Sequence, residues 1–291
     1  MAGNTRFRDK MVRPAPSLEI APLALDALSA ALAKRVGFQS VYLGGGGLGY
    51  ARAVSEALLT ITEMAEACRA ITERVDVDVV VDAGIGFGDA VHMDRTMRML
   101  EGAGAAAIEI EDQISPKRAH HHKGVEHLVP AEEMAGRIKA ALDARRTSEP
   151  VVIVRCNSLS HEGLEPTLDR LAVYQEAGAE MLMLLPRNPD EFAAISKATT
   201  IPLAAMTIGP GRPNAEMIEA GYSLSVDPMS GTVLAFRAMK AGFEGIRDGT
   251  GFGMSREEVL ATIKEVGETM NIEALYEIEA RTTERAHYEN A

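Results

Sequence analysis

The sequence predicts an α/β protein, a single (β/α)8 TIM barrel with extra C-terminal helices. Three observations predict it. About eight short apolar runs alternate with helix-compatible segments along 291 residues, the layout of a barrel of roughly 250 residues with a tail to spare. Three of the β-branched runs deliver ionisable residues, Asp82, Glu111 and Arg155, and a parallel barrel gathers acids and bases at one rim in this way. Glycines follow several helical segments where a left-handed terminal residue is expected.

The first 17 residues, beginning MAGNTRFRDKMVRPAP, lack a long apolar core and read as a solvated arm. Strands are expected over residues 18–25, 39–43, 77–81, 107–110, 151–155, 181–185, 202–206 and 223–226. Helices are expected over 26–36, 60–73, 91–101, 131–146, 166–176, 189–197 and 214–219. Gly37, Gly102, Gly178 and Gly221 stand at helix ends. After the eighth strand, MSGTVLAFRAMKAGFEGI repeats its apolar positions at helical spacing and DGTGFGM breaks it. Ser255 with Glu258 three residues on is a capping box for a last helix reaching about Arg285. Residues 1–291 therefore read as one domain, with C-terminal helices over 229–291 able to fold back or reach a partner chain.

Composition narrows the function. Hydrophobic residues at 46% and charged residues at 25% are enough for a large core. Aromatic content of 4% without tryptophan, at a net charge of −12, provides no stacking platform for nucleic acid and repels polyanions. An anionic substrate must be captured by local positive charge, for which Lys117, Arg118 and Arg155 are the candidates. No window reaches transmembrane length. Cys68 and Cys156 have neither metal spacing nor a disulfide framework, consistent with a cytoplasmic location.

The motifs ALDALSAALAKRVGFQSVYLGGGG, GFGDA, IEDQISPKR, YQEAGAEMLM and LAFRAMKAG, in this order and across almost the whole chain, resemble the isocitrate lyase and phosphoenolpyruvate mutase superfamily. The resemblance implies a tetrameric barrel, a dimer of dimers, whose last barrel helix is exchanged between paired subunits. It also implies Mg2+ or Mn2+ and a small 2-oxo or 2-hydroxy carboxylic acid as substrate. Tyr42 and the turn Gly44, Gly45 and Gly46 match the tyrosine and Ser-Gly-Gly turn whose amides hold carboxylate; backbone donors do not need the missing serine hydroxyl. Asp82 and Glu111 match acids that hold the metal largely through water, while Gly84 stands where the family places its direct metal ligand.

The superfamily's lyase loop carries a cysteine as proton donor. Here the loop runs Lys117, Arg118, Ala119, His120, His121, and a methyl group cannot transfer a proton. Histidine titrates near neutrality, so His120 or His121 is the candidate replacement, with Lys117 to polarise the substrate. A zinc site built on His120, His121, His122 and His127 is disfavoured, because consecutive side chains diverge and no helical His-X-X-X-His spacing exists. Arg155 matches the arginine that grips a substrate carboxylate and suits bidentate pairing. Asn157 replaces an Asp common in lyases. The acid following the second strand aligns near Ser55 or Glu56. Leu185 and Met206 replace a family Glu and Asn, which favours a smaller or more hydrophobic acid.

The expected function is a divergent carbon–carbon lyase or decarboxylase working through an enolate. The alternatives are a catalytically degenerate barrel that acts as a binding or scaffold protein, motivated by Gly84, Ala119, Leu185 and Met206, and a phosphonate mutase or hydrolase.

Overall fold

In the computed structural model, which describes residues 6–209 and 212–284, the eight strands are all parallel. They are β1 (Glu19–Ala21), β2 (Ser40–Leu43), β3 (Asp78–Asp82), β4 (Ala107–Glu111), β5 (Val151–Arg155), β6 (Met181–Leu184), β7 (Leu203–Met206) and β8 (Tyr222–Val226). The order β1-β8-β7-β6-β5-β4-β3-β2 makes one sheet. It curls until the segment after β1 meets β2, where Leu23 bridges Tyr42 and the Tyr42 amide donates to the Pro22 carbonyl at 2.8 Å. The fold is the predicted TIM barrel.

Strand periodicity decides what faces inward. Tyr42, Val80, Ala107, Val151, Ile153, Met181, Met183, Ala204 and Leu224 form a cluster inside the barrel, while Val79, Val81, Ile108, Ile110, Val152 and Val154 pack outward with helical side chains. Continuing each inward register brings Asp82, Glu109, Glu111 and Arg155 into the C-terminal end of the barrel.

The N-terminal segment corrects an expectation. Residues 7–15 are no solvated arm: Phe7, in the short helix α1 (Phe7–Lys10), and Met11 are buried in the inner cluster. Arg8 pairs with Glu180 at 2.8 Å, and Arg13 donates to the Ser196 carbonyl at 2.6 Å. An apolar residue every four positions was the available signal; without a long run, it read as a tail.

The connecting helices follow the pattern: α2 (Ala27–Arg35), α3 (Gly45–Ala51), α4 (Ile61–Thr72), α5 (Ala90–Gly102), α6 (Ala131–Ala144), α7 (Leu164–Glu176), α8 (Pro189–Ala198) and α9 (Asn214–Glu219). Sequence periodicity missed α3 because its first three residues are glycines, poor helix formers. The expected stop at Gly102 also shifts. Gly102 ends inside α5, and Gly104, at φ +87°, takes the left-handed position.

Two compact units, 1–232 and 233–291, are distinguished by internal contacts. The helix α10 (Ser230–Arg247) runs across the boundary. In the second unit α11 (Arg256–Thr269) starts at the expected Ser255–Glu258 capping box. The single last helix expected to reach about Arg285 is interrupted instead. Asn271 adopts a left-handed conformation at φ +54°, and α12 (Ile272–Arg281) follows.

Candidate active site

Lys117 is the centre of the C-terminal mouth. Its ammonium contacts Glu56 Oε1 and lies 2.6 Å from Glu111 Oε1, with the side chain only 8% exposed. Burial disfavours its charge, but Glu111 and Glu56 outweigh that effect and raise its pKa. Glu56 lies on a 3-10 turn, Glu56–Leu58, that Ser55 caps. His121 Nε2 approaches Glu56 Oε1 at 3.0 Å while its Nδ1 donates to the Arg118 carbonyl at 2.7 Å. Burial opposes ionisation of Glu56, yet the His121 hydrogen bond and the Lys117 charge hold its pKa well below the carboxylate range. The hydrogen bond to Glu56 likewise raises the pKa of His121.

Arg155 projects from β5 into a second set of acids. One terminal nitrogen lies 2.8 Å from Glu111 Oε2, the other donates to Glu109 at 3.1 Å, and Nε donates to Asn157 at 3.0 Å. Asn157 Nδ2 and Gln113 Nε2 each donate to Glu111 Oε2 at 3.2 Å. Burial pushes Glu111 up, but Arg155 and Lys117 outweigh it, so its pKa falls. Glu109 behaves oppositely. Burial and the nearby Asp82 raise its pKa to about 8, against the pull of Arg155, and Tyr42 donates to it at 2.9 Å.

Asp82, at the end of β3, accepts from the Gly84 amide at 2.8 Å and the Gly45 amide at 3.1 Å. Burial raises its pKa, with Lys117 acting in the other direction. The glycine turn matters sterically. A Cβ at Gly46 would lie 2.9 Å from Glu56 Oε2, whereas one at Gly84, φ +52°, would lie 3.8 Å from Glu111 Oε1, an ordinary contact.

A cavity of about 150 Å3 opens beside these groups. It is lined by the polar residues Glu56, Asp82 and Lys117, by Gly45, and by the apolar residues Leu59, Met64, Ile85 and Phe87. Of the expected site residues, the structure brings together Gly45, Asp82, Glu111, Lys117, His121 and Arg155. Tyr42 is buried beneath, turned to Glu109. Gly44 caps α3, and Gly46 faces Glu56. His120 is exposed in the 3-10 turn Ala119–Lys123. Against the expected divergence, the His121 and His122 rings lie 3.9 Å apart, and His122 bonds Ser55 at 2.9 Å. Among the described residues, no three His, Cys, Asp or Glu side chains form a group suited to a metal ion.

Sequence reading missed Glu109, although AIEIE places it two residues from Glu111 on the same strand face. It left Glu56 paired with Ser55 as alternatives. The structure selects Glu56 for the ion pairs and gives Ser55 the cap.

The profile of the phosphoenolpyruvate phosphomutase family matches residues 9–246. The chain belongs to that family, within the phosphoenolpyruvate mutase and isocitrate lyase superfamily. The 2,3-dimethylmalate lyase of Eubacterium barkeri is 34% identical over 95% of this chain and 97% of that protein. The 2-methylisocitrate lyase of Aeropyrum pernix is 36% identical over 75% of this chain and 71% of its own. A phosphonopyruvate hydrolase crystallised with oxalate and Mg2+ superposes with a TM-score of 0.81 at 30% identity, covering 91% of this chain and 94% of the other. The curated relatives of the family thus include carbon–carbon lyases.

Proposed function

We propose that this family member is a carbon–carbon lyase for a small alkyl-substituted 2-hydroxy acid of the malate type. The observation that carries the reading is the mixed lining of the cavity. The buried Lys117 ammonium and the Glu56 and Asp82 carboxylates line it together with Leu59, Met64, Ile85 and Phe87. An alkylated dicarboxylate combines charged and apolar groups in the same way, and the similarity to a 2,3-dimethylmalate lyase supports that class.

In the proposed reaction Glu56, ionised in the cavity wall, accepts the 2-hydroxyl proton. The C2–C3 bond breaks, its electron pair enters the C3 carboxylate to give an enediolate, and C2 becomes the carbonyl carbon of a 2-oxo acid. Lys117 stabilises the developing negative charge as a fixed, protonated cation, the type of preorganised electrostatics that supplies much of enzymatic rate enhancement. The proton then passes to C3 from Glu56, with His121 behind it as charge partner. Arg155 anchors a carboxylate by exchanging its contact with Glu109, leaving its stronger contact with Glu111 in place. His120 stays outside this relay.

The phosphonopyruvate hydrolase was crystallised with Mg2+, and Mg2+ or Mn2+ was expected here on Asp82 and Glu111. The donor set does not fit a divalent ion: both Asp82 oxygens accept backbone amides, both Glu111 oxygens meet cations, and position 84 has no side chain. Two buried, unpaired thiols, Cys68 and Cys156, favour a cytoplasmic location. No helix among the described residues is long and apolar enough to cross a membrane.

The test is product analysis by NMR with malate, oxaloacetate and 2- and 3-alkylmalates. Cleavage of an alkylmalate to a 2-oxo acid and a carboxylate, faster than that of malate, is expected. No turnover together with no calorimetric binding of any of these acids would overturn the reading.

A further inference from the structure

Three acids, Glu56, Asp82 and Glu111, lie at the mouth without forming a group suited to a metal ion, and one side chain occupies the position between two of them. Lys117 Nζ contacts Glu56 Oε1 and lies 2.6 Å from Glu111 Oε1. The other Glu111 oxygen is held by Arg155 at 2.8 Å and by the amides of Gln113 and Asn157. Asp82 is held on both oxygens by the amides of Gly84 and Gly45. Magnesium requires near-octahedral oxygen ligands and gives up its water reluctantly. To coordinate Glu56 and Glu111 it would have to expel a buried ammonium from two carboxylates.

We infer that Lys117 is the resident cation of this site, performing with Arg155 the electrostatic role of a divalent ion, so that the chain holds its acid without a metal. The inference rests on the lyase reading only for what that charge does to substrate; the occupancy claim concerns the protein alone. Gly84 is the second half of the argument. A side chain there would start in ordinary contact with Glu111 Oε1, 3.8 Å from its Cβ, and would meet no closer atom. A carboxylate at that position would add the missing direct ligand, and Asp tolerates a left-handed backbone better than most residues.

The experiment is titration of the full-length protein, without substrate, with Mn2+ followed by electron paramagnetic resonance of the free ion. The wild type is expected to show no saturable binding at millimolar Mn2+. Gly84→Asp is expected to acquire a stoichiometric site, at least roughly tenfold tighter than any wild-type binding, and Glu111→Gln in that background should remove it. Lys117→Met, which frees Glu56 and Glu111 without touching the glycine turn, should also gain a site, and it decides the question if Gly84→Asp does not fold. Stoichiometric Mn2+ binding by the wild type, abolished by Glu111→Gln, would overturn the inference. So would folded Gly84→Asp and Lys117→Met proteins that both bind nothing. Because no substrate is present, failure here leaves the lyase reading to its own test.

Discussion

Tyr42 donates its hydroxyl proton to Glu109 across 2.9 Å inside the barrel, and Arg155 approaches the same carboxyl group from the other side at 3.1 Å. The Tyr42 hydroxyl is buried and has no solvent as an alternative partner. Truncating Glu109 to Ala leaves the buried Tyr42 hydroxyl without its acceptor and removes one of the contacts of Arg155, a loss of about 1–3 kcal/mol for a buried polar group left unsatisfied. Glu109→Gln keeps an acceptor for both and should lose clearly less. Urea unfolding midpoints check this: Glu109→Ala is expected well below Glu109→Gln, and equal midpoints would mean that Tyr42 and Arg155 do not depend on this acid.

The fold was legible because each strand had its own evidence. The VVIV run followed by Arg155 and the VVV run followed by Asp82 were short, β-branched and bounded, and both became strands ending in the residue expected. The site was less legible, since a residue's role there depends on which neighbour it meets after closure. Glu56 and Ser55 are adjacent in sequence, and only the turn geometry decides that one carries charge into the cavity and the other caps it. Glu109 was hidden within a run that looked like an ordinary inward strand, and Phe7 and Met11 had too short a pattern to announce a barrel plug.

The pair His121 and Glu56 makes a pH-dependent contribution. The Glu56 hydrogen bond raises the pKa of His121 from its ordinary 6.5, so the native state binds the proton more tightly than the unfolded chain. The associated stability is full below about pH 6.5 and is lost as pH rises through the higher folded value. Replacing Glu56 by Gln removes the main cause. The imidazole resonances of His121 should then titrate at lower pH than in the wild type; an unchanged midpoint would show that Glu56 does not hold the imidazolium.

Gly46 is required for space. A Cβ there would sit 2.9 Å from Glu56 Oε2, closer than van der Waals contact permits, so Gly46→Ala must displace the carboxylate that holds Lys117 and His121. A cost of about 1–3 kcal/mol, typical of overpacking, is expected, together with a lowered His121 titration midpoint. Gly136, on α6 with nothing within 4 Å of the same added atom, is the control: Gly136→Ala should leave the His121 midpoint where it was and stabilise the helix slightly.

The barrel's inner cluster includes Phe7 as well as strand side chains. Burial of an aromatic ring at 3% exposure makes this arm residue part of the core, so Phe7→Ala should cost about 3–5 kcal/mol. Thermal unfolding measures it. A loss within experimental error would restore the view of residues 1–17 as a solvated tail.

The face of α10 gives the last expectation. Phe236 and Phe243, seven residues apart and therefore on one side of the helix, are 64% and 66% exposed, and Met239 and Ile246 continue the stripe. An apolar stripe of this length left open to water is the usual mark of a protein–protein interface. The occupant we expect is a second copy of this chain, as the resemblance to helix-exchanging tetramers implied at the outset. Phe236→Asp combined with Phe243→Asp places two charges in that stripe without altering any residue of the candidate active site. Light scattering coupled to size exclusion should then show an assembly of lower mass than the wild type, with far-ultraviolet circular dichroism unchanged. A wild-type mass equal to one chain, or a double variant that assembles as before, would show that this face has another use.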